Sequence, residues 1–244
     1  MDFNVLWYDV VSSTNEECLK LVADKSPQGC VVAARYQTDG RGQRGNVWES
    51  DSGQNLTFSI LLRPIQVEVQ RQFMLSKVAA LAVCDWLSAY VTKSKVSIKW
   101  PNDVYVGNGK IAGILIENSF STSTLDVSVI GIGVNVNQTY FVDLPNPISL
   151  ALETGIVFNV ETSLMELLEC FKSRYEQLLN KQYSQLDADY FNLLYRKDTY
   201  CEYKAQGQVF RARIVGVKST GELELQSVDG KVQSFAFKEI SFVI

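Results

Sequence analysis

The sequence predicts an α+β fold, a mostly antiparallel mixed sheet packed with helices, followed by a small C-terminal β unit. Three observations carry this. β-rich apolar runs recur through the first 135 residues. Amphipathic helical spacing occurs in only a few separate stretches. After Arg196 the texture changes to short apolar–polar alternation broken by Gly207, Gly221 and Asp229-Gly230, the pattern of a small antiparallel barrel.

In chain order, a short strand-like start leads to Ser13 and Glu16, spaced as a capping box ahead of Cys18, Leu21 and Val22 at helical intervals. Strand-like runs follow at 30–34 and 56–62. Leu75, Val78, Ala79, Ala82 and Trp86 mark an amphipathic helix reaching about Val91. Strands are then expected at 96–99, 103–106, 111–117 and 125–135, with the Asn-Gly pair of Gly107-Asn108-Gly109 favouring a tight hairpin. Ser163 and Glu166 read as a second capping box, opening a helix that turns Leu164, Leu167, Leu168, Phe171, Tyr175 and Leu178 inward. A third helix is expected over 184–195. The boundary near 193–198 divides the chain into 1–195 and 196–244.

Composition narrows the chemistry. A chain of 244 residues has a full core, burying roughly 70–75% of its unfolded surface. It contains no histidine, which excludes Ser–His–Asp and Cys–His catalysis and a His-based zinc site. Lys+Arg 23 against Asp+Glu 27 gives a net charge of −4, the wrong sign for a bulk nucleic-acid binder. The five cysteines are odd in number, dispersed, and form no C-x-x-C pair, so reduced buried thiols in a cytoplasmic protein are expected. No basic-then-apolar N-terminal stretch reads as a signal peptide. No apolar run approaches the ~18–20 residues of a membrane span.

Gly40-Arg41-Gly42-Gln43-Arg44-Gly45 matches G-x-G-x-x-G, but loop-forming residues follow it where a dinucleotide site needs a helix. What remains is a flexible loop closed by Trp48, in which backbone N–H groups and two guanidinium groups suit an anion better than a bare surface loop would. Lys99-Trp100-Pro101-Asn102-Asp103 interrupts a strand with proline. Lys110 stands eleven residues after Lys99, outside any Walker A context. Each lysine alone reads as a solvated hairpin cation. Together, near the loop arginines, they suggest a focused cationic site in an acidic protein. Gly131-Ile132-Gly133-Val134-Asn135 leaves two readings open, a ligand lying on a bare strand or a bulge in a core strand.

Five motifs in one order resemble a biotin protein ligase: Ser13-Thr14-Asn15, Gly40 to Trp48, Lys99 to Asp103, Gly109 to Leu115, and Gly131 to Asn135. The resemblance implies a class II synthetase-like catalytic domain with an SH3-like C-terminal barrel. It implies biotin and ATP with Mg²⁺ forming biotinyl-5′-adenylate, then transfer to a lysine of a biotin carboxyl carrier domain. Lys110, Arg41 and Asp103 would be catalytic. Ser13, Thr14, Asn15, Gln37, Gly40, Arg41 and Gly113 would hold biotin. Gln43, Arg44, Trp48, Lys99, Asn102 and Asn135 would serve ATP and the adenylate. No protein ligand is assigned to the metal, which would come with ATP.

The reaction suits a chain without histidine, because an ionised carboxylate attacking a phosphoryl group needs alignment and charge neutralisation rather than an imidazole base. Gln43 and Asn46 stand where the family often has arginine, so weaker retention of the adenylate is expected. Ser13 begins the first motif, so no N-terminal DNA-binding module and no DNA partner are expected; no membrane partner is expected, and a homodimer stays open. The competing readings are a lipoate-type protein ligase, which shares the architecture, and a non-catalytic biotin-binding or interaction module.

Overall fold

The computed structural model describes residues 1–142 and 145–243, the side chains of Arg44 and Ser94 excepted. The first strand, β1 (Asn4–Val11), runs parallel to β2 (Cys30–Gln37), and helix α1 (Thr14–Ala23) makes the crossover between them. β3 (Leu56–Leu62), β4 (Val96–Lys99), β5 (Asp103–Val106), β6 (Gly109–Phe120) and β7 (Leu125–Val134) complete a seven-stranded sheet in the order β1-β2-β3-β7-β6-β5-β4. Its pairings after β1–β2 are antiparallel, so the expected mostly antiparallel mixed sheet is what forms.

Helix α2 (Phe73–Leu87) is apolar nearly all round and is buried accordingly, within the core shared with the sheet and α4 (Val160–Leu179). α4 turns inward the six residues whose spacing marks them for it. α5 (Tyr183–Asn192) is shorter than expected, ending three residues before Tyr195. α1 packs on the opposite, site-bearing face through a smaller cluster around Cys18, Cys30, Val32 and Val129. A single-turn helix absent from the sequence reading, α3 (Leu150–Thr154), is capped by Ser149 Oγ accepting from Leu152 N–H and stopped by left-handed Gly155.

Both capping boxes are corrected. Ser13 holds the N-cap position of α1, but its side chain makes no cap bond, and Glu16 is taken by Ser12 Oγ–H at 2.6 Å and by Arg41. The N-cap of α4 lies four residues before Ser163, at Asn159, whose Oδ1 accepts from Thr162 N–H at 2.8 Å; Glu166 instead accepts from Trp86 Nε1–H and Tyr90 O–H. The hairpin turn is also displaced by one residue. Gly107 (φ +59°) and Asn108 form it, and Gly109 is already in β6, where a Cβ would come within 2.7 Å of Ile148.

The C-terminal strands β8 (Cys201–Ala205), β9 (Gln208–Val217), β10 (Leu223–Ser227), β11 (Val232–Phe235) and β12 (Ile240–Phe242) pair antiparallel in the order β11-β10-β9-β8-β12. Among the described residues β11 and β12 are the two edges of a five-stranded antiparallel sheet, and no ladder between them closes the expected barrel. These strands have only four and three residues, which leaves little backbone for a closing ladder. The sheet is pinned to the first by Trp100, whose buried Nε1–H donates to Gly221 O at 2.9 Å. Phe237 packs against both Trp100 and Phe73. Gly221 (φ +103°) is required there, since a Cβ would meet the Phe73 ring at 2.8 Å. Among the described residues no helix is long and apolar enough to cross a membrane.

Trp100→Phe keeps most of the ring packing but leaves the Gly221 carbonyl without its donor. It should destabilise the chain by about 1–3 kcal/mol, measured as a shift in the urea midpoint at unchanged slope.

Candidate active site

Three glycines on one face of neighbouring strands clear a floor. Gly113 in β6 pairs with Gly133 in β7, and Leu115 pairs with Gly131. The register runs unbroken through these pairs, so the alternative of a bulge at Gly131–Gly133 is set aside. A Cβ on Gly133 would lie 2.3 Å from the Trp48 indole, one on Gly113 3.0 Å from it, and one on Gly131 2.2 Å from Asn15 Oδ1. The Trp48 ring and the Asn15 amide therefore lie directly against backbone. Between and above them opens a cavity of about 230 Å³.

One end of the cavity carries neutral hydrogen-bonding groups. Ser13, Thr14 and Asn15, at the start of α1, and Thr57 of β3 are buried and line it; Gln37, at the end of β2, is half-buried. Gln37 Oε1 accepts from Thr14 N–H at 2.8 Å, which leaves its amide hydrogens uncommitted to that bond. Ser59 Oγ lies 2.8 Å from Thr14 Oγ1 and 2.6 Å from Asn15 Oδ1. Asn15 Nδ2–H donates to Glu117 Oε2 at 2.7 Å.

The other end is charged. Lys110 Nζ lies 2.7 Å from Asp103 Oδ1 and 5.8 Å from the centre of the Trp48 ring. The hairpin β5–β6 brings the pair together, since Asp103 sits opposite Gly113 and Tyr105 opposite Lys110. Asn102 Nδ2–H donates to Ile114 O at 3.1 Å and holds the Trp100–Asp103 segment to β6. The glycine-rich loop covers this end. It opens no α-helix, only the 3-10 turn Gln43–Gly45, and Trp48 N–H donates to Gly40 O at 2.8 Å. Arg41, Gln43, Asn46 and Val47 face the cavity, and the Arg41 guanidinium pairs with Glu16.

Most residues singled out in the sequence thus meet at one cavity: Ser13, Thr14, Asn15, Gln37, Arg41, Gln43, Trp48, Asn102, Asp103, Lys110 and Gly113. Three others are placed elsewhere. Gly40 supports the loop behind the cavity, with room there only for a residue lacking a Cβ, which would come 2.3 Å from Trp48 O. Lys99 packs over the Tyr105 and Phe242 rings with Nζ 3.1 Å from the Tyr105 hydroxyl. Its pKa is held below the usual lysine value by burial, with Lys110 and Arg196 adding to the effect and Asp103 opposing it. Asn135 is buried, and its Nδ2–H donates to Ile148 O at 3.0 Å, fastening the segment that runs beside Lys110. The Arg44 side chain lies outside the described residues.

The sequence reading missed Thr57, Ser59, Glu16 and Glu117, and also Ile240 and Phe242, which reach the cavity from the C-terminal sheet. A signal existed for the first two. Thr57 and Ser59 are hydroxyls two apart in the otherwise apolar β3, on one face of the strand.

Gly133→Ala should drive the Trp48 ring off the floor. A red shift of tryptophan emission is expected, and the shift should vanish in a Trp48→Phe background.

Residues 7–135, more than half of the chain, match the model of the biotin/lipoate A/B protein ligase family. A biotin–[acetyl-CoA-carboxylase] ligase of Mycobacterium tuberculosis is 34% identical over 189 residues, 75% of this chain and 68% of that protein. The bifunctional ligase/repressor BirA of Bacillus spizizenii is 28% identical over 235 residues, 94% of this chain and 71% of that protein. Among solved structures, the biotin protein ligase of Aquifex aeolicus in complex with biotin and ATP superposes with a TM-score of 0.81 at 26% identity, covering 98% of each chain. The chain belongs to the biotin/lipoate A/B protein ligase family.

Proposed function

We propose that this chain is a biotin–protein ligase, activating biotin with ATP to biotinyl-5′-adenylate and passing the biotinyl group to a lysine of a carboxylase's carrier domain. One observation carries the choice of substrate within the family: a neutral donor–acceptor end faces a cationic end across one cavity. Thr14, Ser13 and Gln37 suit a cyclic urea, which presents both N–H and C=O. A dithiolane ring has no hydrogen-bonding head and would leave the buried Ser13 hydroxyl and the half-buried Gln37 amide without a ligand partner, at a cost of up to about 1–3 kcal/mol for a group left wholly unpaired.

In the first step, a carboxylate oxygen of biotin bonds to the α-phosphorus of ATP as the bond to the β-phosphate oxygen breaks, and pyrophosphate leaves with that electron pair. Lys110 and Arg41 neutralise the charge that accumulates on the transferring group, and Trp48 offers its face to the nucleotide base. A Mg²⁺ carried by the nucleotide would supply further charge neutralisation at the phosphates, and Asp103 is the cavity carboxylate that would add a ligand to it. In the second step, the acceptor amine attacks the acyl carbon and AMP departs. When Lys110 turns to phosphate, Asp103 is released from their ion pair and orients that amine. Asn102, Asn135 and Lys99 act one layer out, by holding the backbone and hairpin that carry Lys110 and Asp103.

The test is ATP–pyrophosphate exchange, with biotin and with lipoate. Exchange is expected with biotin alone; exchange with lipoate alone would mean the lipoate-type reading, and silence with both a binding module. Lys110→Ala should lower exchange by about 2–4 kcal/mol of transition-state stabilisation while biotin affinity, read by titration calorimetry, stays within about tenfold.

A further inference from the structure

Beneath the neutral end of the cavity lies a hydrogen-bond chain whose direction is set from outside the cavity. Glu117, on β6, is half-buried and does not line the cavity. A carboxylate oxygen only accepts, so the Asn15 amide must turn Nδ2–H toward Glu117 Oε2, at 2.7 Å, and Oδ1 toward Ser59 Oγ, at 2.6 Å. Ser59 has one hydroxyl hydrogen. Committed to Asn15 Oδ1, it cannot also serve Thr14, so the 2.8 Å bond between Thr14 and Ser59 is made by the Thr14 hydrogen. The Thr14 oxygen then meets the cavity with lone pairs alone. Gln37 is fixed in the complementary sense, because its Oε1 is taken by Thr14 N–H and its amide hydrogens remain to be given.

We propose that Glu117 is a positioning residue that determines specificity: through Asn15 and Ser59 it makes Thr14 an acceptor for a ligand N–H, beside a Gln37 that donates to a ligand C=O. This deepens the biotin reading and rests on it. The chain has two further supports. Asn15 and Ser59 are buried, so water does not compete for their bonds. Gly131 makes room for the Asn15 amide beneath the cavity, since a Cβ there would overlap Oδ1 at 2.2 Å. Without the carboxylate the Asn15 amide is free to flip. Ser59 then turns its hydrogen to Thr14, and Thr14 can point its own hydrogen at the ligand N–H, setting donor against donor.

The experiment is steady-state exchange kinetics of the whole chain with biotin, and with a biotin methylated on its ureido nitrogen. Glu117→Met, which keeps length and loses the acceptor, should raise KM for biotin by at least about tenfold and leave KM for ATP within about twofold. Glu117→Gln, which keeps a carbonyl acceptor, should restore biotin KM to within about threefold of the parent, and Ser59→Ala should reproduce the Met variant. The methylated analogue, lacking the N–H, should bind the parent and Glu117→Met alike. Equal rises in both KM values, an unmoved biotin KM, or a Gln variant no better than Met would overturn the proposal. If Glu117→Met does not fold, Ser59→Ala decides, since it removes a single oxygen; parental biotin KM in that variant overturns the proposal. A parent chain silent with biotin sinks the functional reading and this proposal together, whereas an active parent with an unmoved Glu117→Met sinks this proposal alone.

Discussion

The site depends on the absence of side chains at Gly113, Gly131 and Gly133. A strand interior normally presents a side chain at every second residue of each face, and glycine there weakens the strand. β6 and β7 bear that cost on one face only. On the other, Ala112, Ile114, Ile130, Ile132 and Val134 are buried in the main core, and their burial holds the two strands in register. The cleared face lets an indole and an amide lie on backbone, and it places a cavity over the middle of a sheet rather than at its rim.

The remaining elements supply one end of that cavity or the other. α1 and β3 bring hydroxyls and an amide, the β5–β6 hairpin brings Lys110 and Asp103, and the glycine-rich loop covers the charged end with Arg41 and Trp48. The C-terminal sheet adds Ile240 and Phe242, and it stays in place through Trp100, which lines the cavity and also donates to Gly221. Trp100 thus ties the wall of the site to the attachment of the second sheet.

Motif residues close in sequence were legible because their geometry is local. Ser13-Thr14-Asn15, the glycine loop and the Trp100–Asp103 break are each short segments whose backbone chemistry is set within a few residues. Most strand positions, the inward face of α4 and the change of texture after Arg196 were legible from periodicity. What escaped is long-range. Glu16 has capping-box spacing, yet its carboxylate serves Ser12 and Arg41, a partner 25 residues away. Glu117 meets Asn15 across 102 residues, and no spacing rule spans that distance. By charge and spacing alone Lys99 and Lys110 were equivalent, but Lys99 is half-buried against Tyr105 and, of the two, Lys110 reaches the cavity.

A chain without histidine solves its site with carboxylates in a recurring way. Glu117 holds Asn15, Asp103 holds Lys110, and Glu16 holds Arg41, each pair joining residues from different parts of the fold or from opposite sides of a hairpin. For the two cations this pairing has an energetic consequence. An incoming anion that binds Lys110 or Arg41 replaces a protein carboxylate, so one charge interaction is exchanged for another and the ground state gains little. Under the proposed mechanism, as a phosphoryl group is transferred and its oxygens gather charge, the same cations would face an anion stronger than the carboxylate they released. The gain would then fall mainly on the transition state, which is where an interaction raises the rate rather than merely tightening binding. The Asn15 pair works by the same means to a different end. A fixed negative acceptor orients a neutral amide, and the orientation is passed on as hydrogen-bond direction rather than charge.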